Sequence, residues 1–126
     1  MLNASNLLRA CRSATKGVGL AFREEQNFRI QVIIALVTIA GGMLLQFSSY
    51  EWIALLLAIG MVLAAELFNS VFERLLDSMK PRVSVLVGAM KDLMSAAVLV
   101  SATTAFCIGL LLFLPRFIHI FASLFE

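Results

Sequence analysis

"MVLAAELFNSVFERLLDSMK", residues 61–80, begins as an apolar helix and then sets Glu66, Asn69, Glu73 and Asp77 into the same register. Spacings of three, four and four bring these positions within about 80° of one another on a helix. An ionised side chain near a bilayer centre costs at least ~2.5 kcal/mol on insertion scales, and intramembrane acids usually face protein or water. The stretch therefore predicts a spanning helix whose polar stripe leads from hydrocarbon toward an interface, with Glu66 deepest.

The rest of the chain agrees with that setting. Hydrophobic residues make up 61% of the sequence and charged residues 14%, and the mean hydropathy is +0.96, well away from ordinary soluble proteins. Leu93 to Leu114 carries no charge, and Ile30 to Phe47 is interrupted only by Gln31, Thr38 and Gln46. Each is long enough to cross a bilayer core, which takes about 20 residues. The run from Trp52 to Ala65 is too short alone, so its helix must continue through Glu66 toward Asp77. Arg9, Arg12, Lys16, Arg23, Glu24, Glu25 and Arg29 leave no apolar core for a cleavable signal, so the amino terminus is expected to be retained.

Basic residues set the expected orientation. Arg9, Arg12, Lys16, Arg23 and Arg29 precede the first span, and Arg74, Lys80, Arg82 and Lys91 flank the connection between the second and third. The turn from Ser48 to Glu51 has none. The positive-inside tendency puts the amino terminus and the second connection in the cytoplasm, and the carboxy terminus outside with Arg116 near headgroups. The net charge of +2 adds little to this.

The predicted fold is an all-α integral membrane protein, one domain over residues 1–126. Its amphipathic surface helix covers about 5–23, and its spans cover about 29–47, 52–77 and 92–114. In the surface helix Arg9, Arg12, Lys16 and Arg23 fall within about 60° of one another, opposite Leu7, Cys11, Ala14, Val18 and Phe22. Such a helix rests its apolar face in the lipid boundary; a basic flank that only sets topology is the plainer alternative. Pro81 and Pro115 are expected to punctuate the loop after span two and the end of span three. Three spans can hardly enclose a polar site in one protomer, so self-association is expected, with Ser95, Ala102 and Gly109 as a small-residue strip. Cys11 and Cys107 suit neither a disulfide nor a zinc site, and His119 reads as an interfacial residue.

Glu73 and Asp77 are expected to approach the cytoplasmic interface, where Lys91, Asp92, Glu24 and Glu25 could meet them. Carboxylates with one lysine suit Mg2+, which joins one or two carboxylates to nucleotide phosphates, and hence ATP chemistry. Phosphoryl transfer needs that neutralisation and a base for the attacking hydroxyl, a role open to Glu66. On chemistry alone a proton- or ion-conducting protein with Glu66 as relay is equally open. So is a structural subunit in which Glu73 and Asp77 pair with Arg74 or Lys80. "TKGVGLAF" lacks the P-loop spacing, and no G-x-G-x-x-G is present.

"AELFNSVFERLLD" followed by "GAMKDLMSAAVLV" resembles the signature of the small prokaryotic diacylglycerol kinases, a family that includes undecaprenol kinases. The match falls on Glu66, Asn69, Glu73, Asp77, Lys91, Asp92 and Ala96 to Leu99, and extends to "KGVGLAFREEQNFRIQ" on the amino-terminal side. The resemblance implies a homotrimeric inner-membrane lipid kinase that uses ATP and Mg2+, with no nucleic-acid partner. It implies Glu66 as proton acceptor for the lipid hydroxyl, Glu25 and Glu73 as metal holders, and Lys91, Asp92, Glu25 and Glu73 as nucleotide contacts. Glu24 competes for the place of Glu25. Arg29 and Ser95 fall, with Glu66, where the family contacts its lipid, and Asn69 and Asp77 where it supports the site. Ser84 and Met90 depart from the usual histidine and alanine on the nucleotide side, and Asn6 and Ser13 from an arginine and an aromatic residue of some members. "NFRIQ" and "SSYEWIALLLAIGMVLAAEL" look more like the undecaprenol branch than the diacylglycerol branch.

Overall fold

The computed structural model of the chain describes residues 4–78 and 85–123. The described residues form four helices: α1 (Ala4–Glu24), α2 (Gln26–Leu44), α3 (Ser49–Ser78) and α4 (Val85–Ser123). The expectations placed on Lys80, Pro81, Arg82 and Ser84 concern positions outside the described residues. Helices α2, α3 and α4 are each long and apolar enough to cross a membrane. In α4 none of the most apolar window is buried within the chain, and Leu99, Val100, Phe106 and Leu111 all face outward. So much exposed hydrocarbon is stable only against lipid or another protein; the chain is an integral membrane protein.

Helix α3 is the centre of the bundle. Helices α2 and α4 both pack against it, and α1 touches α2 and α3. Ion pairs at both ends fix the antiparallel register of α3 and α4: Asp77 meets Lys91, and Glu51 meets Arg116. The core is thin and rests on small or flat side chains, with Ala35, Leu55, Ala58, Phe28 and Phe47 buried. Along α1, Leu7, Leu8, Val18 and Phe22 remain exposed while Ala21 is buried.

Helix α2 ends at a tight reversal. Gln46 adopts φ 53°, and the Gln46 and Phe47 N–H groups donate to the Met43 and Gly42 carbonyls, which is the Schellman arrangement usually built on glycine. The chain turns at once into α3, where Glu51 accepts from the Ser48 backbone N–H at 2.7 Å, half of a capping box. Gly42 permits the reversal to close: a Cβ there would lie 3.2 Å from both the Phe47 and Trp52 rings.

Two boundaries differ from expectation. Helix α4 starts at Val85, ahead of residue 92, and it continues through Pro115 to Ser123 instead of ending there. A proline removes one main-chain donor and strains the preceding turn. That turn is braced here, because the Arg116 guanidinium donates to the Leu112 carbonyl at 3.0 Å and to Glu51 on α3. Tertiary anchorage carries the helix past its breaker.

Candidate functional site

The stripe on α3 is continuous, but its members sit in three different environments. Glu66 is 2% exposed, and Asn69 and Ser70 are also buried. One chain therefore covers the deepest acid, while the charged groups nearer the end of α3 stay open to solvent. Helix α2 packs against α3, and Ala35 and Ala58 are buried as well.

Gln31 of α2 supplies the partner of that acid: its Nε2 donates to Glu66 Oε2 at 2.9 Å. Ser70 donates to the Glu66 carbonyl at 3.0 Å, within the helix. A turn further on, Asn69 Nδ2 donates to Glu73 Oε1 at 3.1 Å, which fixes the Glu73 carboxylate on the same face. Buried amides normally satisfy both of their functions. Yet Gln31 Oε1 and Asn69 Oδ1 are buried with no hydrogen-bond partner among the described residues.

Nearer the end of α3 the charges pair off. Arg74 bridges Glu24 at 2.9 Å and Glu25 at 2.8 Å, tying the end of α1 to α3. Lys91 meets Asp77 at 2.7 Å and also lies within the electrostatic reach of Glu73. These pairs are well exposed, with Arg74 and Glu24 at 41% and 53% and Lys91 and Asp77 at 36% and 48%. Water and a charged ligand can therefore compete for these members, Glu25 being the most covered at 26%.

The expected meeting of acids, lysine and amide is thus present in part. Helices α1, α3 and α4, with Glu25 at the start of α2, bring Glu24, Glu25, Glu73, Asp77 and Lys91 to one end of the bundle, but in separate contacts. Among the described residues no group of three or more acidic, histidine or cysteine side chains is arranged to hold a metal. Glu25 and Glu24 share Arg74, so the choice between them stays open. Asp92 is exposed on the same turn as Lys91.

The expected lipid contacts are engaged locally. Arg29 donates to the Arg23 carbonyl at 2.9 Å and the Phe22 carbonyl at 3.4 Å, capping α1. Ser95 donates to the Lys91 carbonyl. Of the structural alternatives, Arg74 pairs with α1 instead of Glu73 or Asp77, and Asp77 finds Lys91. The sequence reading did not single out Gln31 or Arg74 as site members. For Gln31 the signal was a polar residue inside an apolar span; for Arg74, a cation within an acidic stripe.

Beside this site runs an apolar groove of about 490 Å³ between α2, α3 and α4, lined by Gln31, Ala35, Leu55, Ala58, Ala102 and Gly109 among others. Gln31 thus touches Glu66 on one side and the groove on the other. The family model for prokaryotic diacylglycerol kinase matches residues 12–113.

The chain belongs to the prokaryotic diacylglycerol kinase family. It is 34% identical over 103 residues to undecaprenol kinase of Bacillus subtilis (strain 168), covering 82% of this chain and 84% of that one. It is also 33% identical over 113 residues to a diacylglycerol kinase of Synechocystis sp. (strain ATCC 27184 / PCC 6803 / Kazusa), covering 89% of this chain and 65% of that one. The chain is accordingly a membrane lipid kinase. As in any lipid kinase, its chemistry must join a phosphate donor to a membrane-held acceptor.

Proposed function

We propose that this lipid kinase transfers the terminal phosphate of ATP to the primary hydroxyl of a membrane lipid, undecaprenol or diacylglycerol, at the cytoplasmic face of the inner membrane. The observation that carries the reading is Glu66, 2% exposed and held by a single amide at 2.9 Å, on the helix whose far end carries the half-buried Glu25 and Lys91 in ion pairs with Arg74 and Asp77. Glu66 accepts the hydroxyl proton as the lipid oxygen bonds to the terminal phosphorus and the bond to the ADP oxygen breaks. Lys91 and Asp92 orient the nucleotide, and Asn69 steadies Glu73. Asp77 holds Lys91 until phosphates compete for it.

Glu25 and Glu73 would hold Mg2+. Two carboxylates are a short donor set, which fits this ion because it completes its shell from phosphate oxygens and water. When bound, Mg2+ neutralises phosphate charge in the transfer. Glu25 must then exchange Arg74 for the ion, a change its exposed pair permits.

Arg29, at the junction of α1 and α2, and Ser95, beside Lys91, border the acceptor lipid. The exposed apolar face of α4 and the groove containing Ala102 and Gly109 support assembly, and we read the working unit as a homotrimer. The basic α1 lies on the cytoplasmic leaflet, with the amino terminus inside. Undecaprenol is the favoured acceptor, on the "NFRIQ" stretch and the similarity to the Bacillus subtilis enzyme.

The test is labelled phosphate transfer from MgATP to undecaprenol and to diacylglycerol in matched lipid discs, with Glu66→Gln as control. Label on one lipid, lost in the control, supports the kinase reading and chooses the acceptor. Label on neither, from folded protein, rejects both acceptors; label that survives Glu66→Gln removes Glu66 as base.

A further inference from the structure

We propose that Gln31 is a positioning residue for this transfer, fixing the Glu66 carboxylate by one oxygen so that the other is presented to the acceptor hydroxyl. The inference rests on the reading of Glu66 as proton acceptor. Its basis is the 2.9 Å bond from Gln31 Nε2 to Glu66 Oε2, which joins residues 35 apart in sequence. Among the described residues no second side chain bonds that carboxylate. A glutamate side chain has three rotatable bonds, and an acid in an apolar wall without a directional partner samples several of their wells. Misplacing a reacting group by about 1 Å can cost about 10²-fold in rate.

The orientation of the amide carries the second half of the inference. The amide turns its N–H end to the Glu66 carboxylate. The opposite end of the amide, Oε1, is buried without a partner among the described residues, on a residue that lines the apolar groove. An apolar side chain of the same length would fill the groove wall without the open Oε1, but it would leave the buried Glu66 carboxylate unpaired, so the amide serves Glu66 rather than the groove. Holding Glu66 accounts for both the bond made and the acceptor left open.

Gln31→Met preserves length and removes the donor. The expected result is a kcat for lipid phosphorylation lower by about 10- to 100-fold, with KM for lipid and for MgATP changed by less than about 3-fold. Resistance to unfolding should fall, since the buried Glu66 carboxylate loses its one side-chain partner among the described residues, so kcat is compared per folded protein. Gln31→His, whose neutral ring retains an N–H donor, should recover most of the lost kcat, and it stands in should the methionine variant fail to fold. A kcat per folded protein that stays at the parent value in Gln31→Met overturns the inference. So does a loss of stability with unchanged turnover, or a folded Gln31→His as slow as Gln31→Met. Active parent with active Gln31→Met sinks the role of Gln31 alone, whereas a parent that phosphorylates no lipid overturns the kinase reading and this inference together.

Discussion

The two ends of α3 each hold ion pairs at close contact, but in unlike surroundings. At the start of the helix Arg116 grips both oxygens of Glu51, at 2.6 and 2.8 Å, and its guanidinium lies 4.6 Å from the centre of the Phe47 ring. Phe47 in turn packs against Phe113 and Trp52. At the far end, roughly 35 Å away at 1.5 Å per residue, Arg74 divides itself between two glutamates and Lys91 meets Asp77 with no aromatic cover. The side chains of Arg116 and Glu51 are 28% and 24% exposed, against 36% and 48% for Lys91 and Asp77, while Glu25 at 26% is as covered as the clamp and differs in sharing its arginine with Glu24. A bidentate pair stacked on a ring is a clamp fixed by two parallel bonds and an aromatic face. Single-point, solvated pairs are exchangeable, and only there does the buried stripe of Glu66 and Asn69 emerge. The comparison separates a fastening from a site, although both are made of the same residue types.

That separation can be broken by mutation. The largest effect is expected for Glu66→Gln, with phosphate transfer reduced by about 10²- to 10⁴-fold, the usual span for loss of an acid–base group, while the protein still assembles. The matched change at the other end, Arg116→Met, should leave transfer per folded protein within about 3-fold and lower the unfolding midpoint in a detergent titration. Loss of transfer in folded Arg116→Met would show that the fastening is part of the site. Next, Lys91→Met should reduce kcat/KM for MgATP by about 10²-fold, the scale of one lost electrostatic contact to a reacting group. If only the lipid KM moved, Lys91 would belong with the acceptor.

Smaller effects sharpen the fastening. Gly42→Val should destabilise the fold by about 1–3 kcal/mol, the usual cost of forcing atoms into a packed contact, because a Cβ at this position already comes within 3.2 Å of Phe47 and Trp52. Reversible unfolding with and without the substitution measures it, and an unchanged midpoint would mean that the rings can swing aside. The smallest change, Gln46→Gly, should stabilise by about 0.5–1 kcal/mol, since Gln46 occupies the left-handed region where a Cβ is penalised. No gain in the same titration would mean that the glutamine side chain offsets its own strain.

The helical content and the polar stripe were legible because both are periodic: the spacing of Glu66, Asn69, Glu73 and Asp77 fixes a face whatever packs against it. Partners across helices were less so. Nothing in the local sequence tells Arg74 to pass over Asp77 for Glu24 and Glu25, nor selects Lys91 for Asp77, because such pairs depend on how far α1 and α4 are rotated and slid against α3. Pro115 was misread for the same reason, as its local penalty is real but Arg116 is anchored on another helix.

By itself the sequence determined a membrane-bound helical chain with an acidic face, since hydropathy and a 3.6-residue repeat are properties of one segment against its solvent. Its recognisable signature also determined the family. Only the tertiary structure decided that Glu66 is enclosed within one chain, that Gln31 holds it, and that the charges at one end are clamped while those at the other remain exchangeable. These follow from the distances between helices, which are set by small residues such as Ala35, Gly42 and Ala58 that let backbones approach.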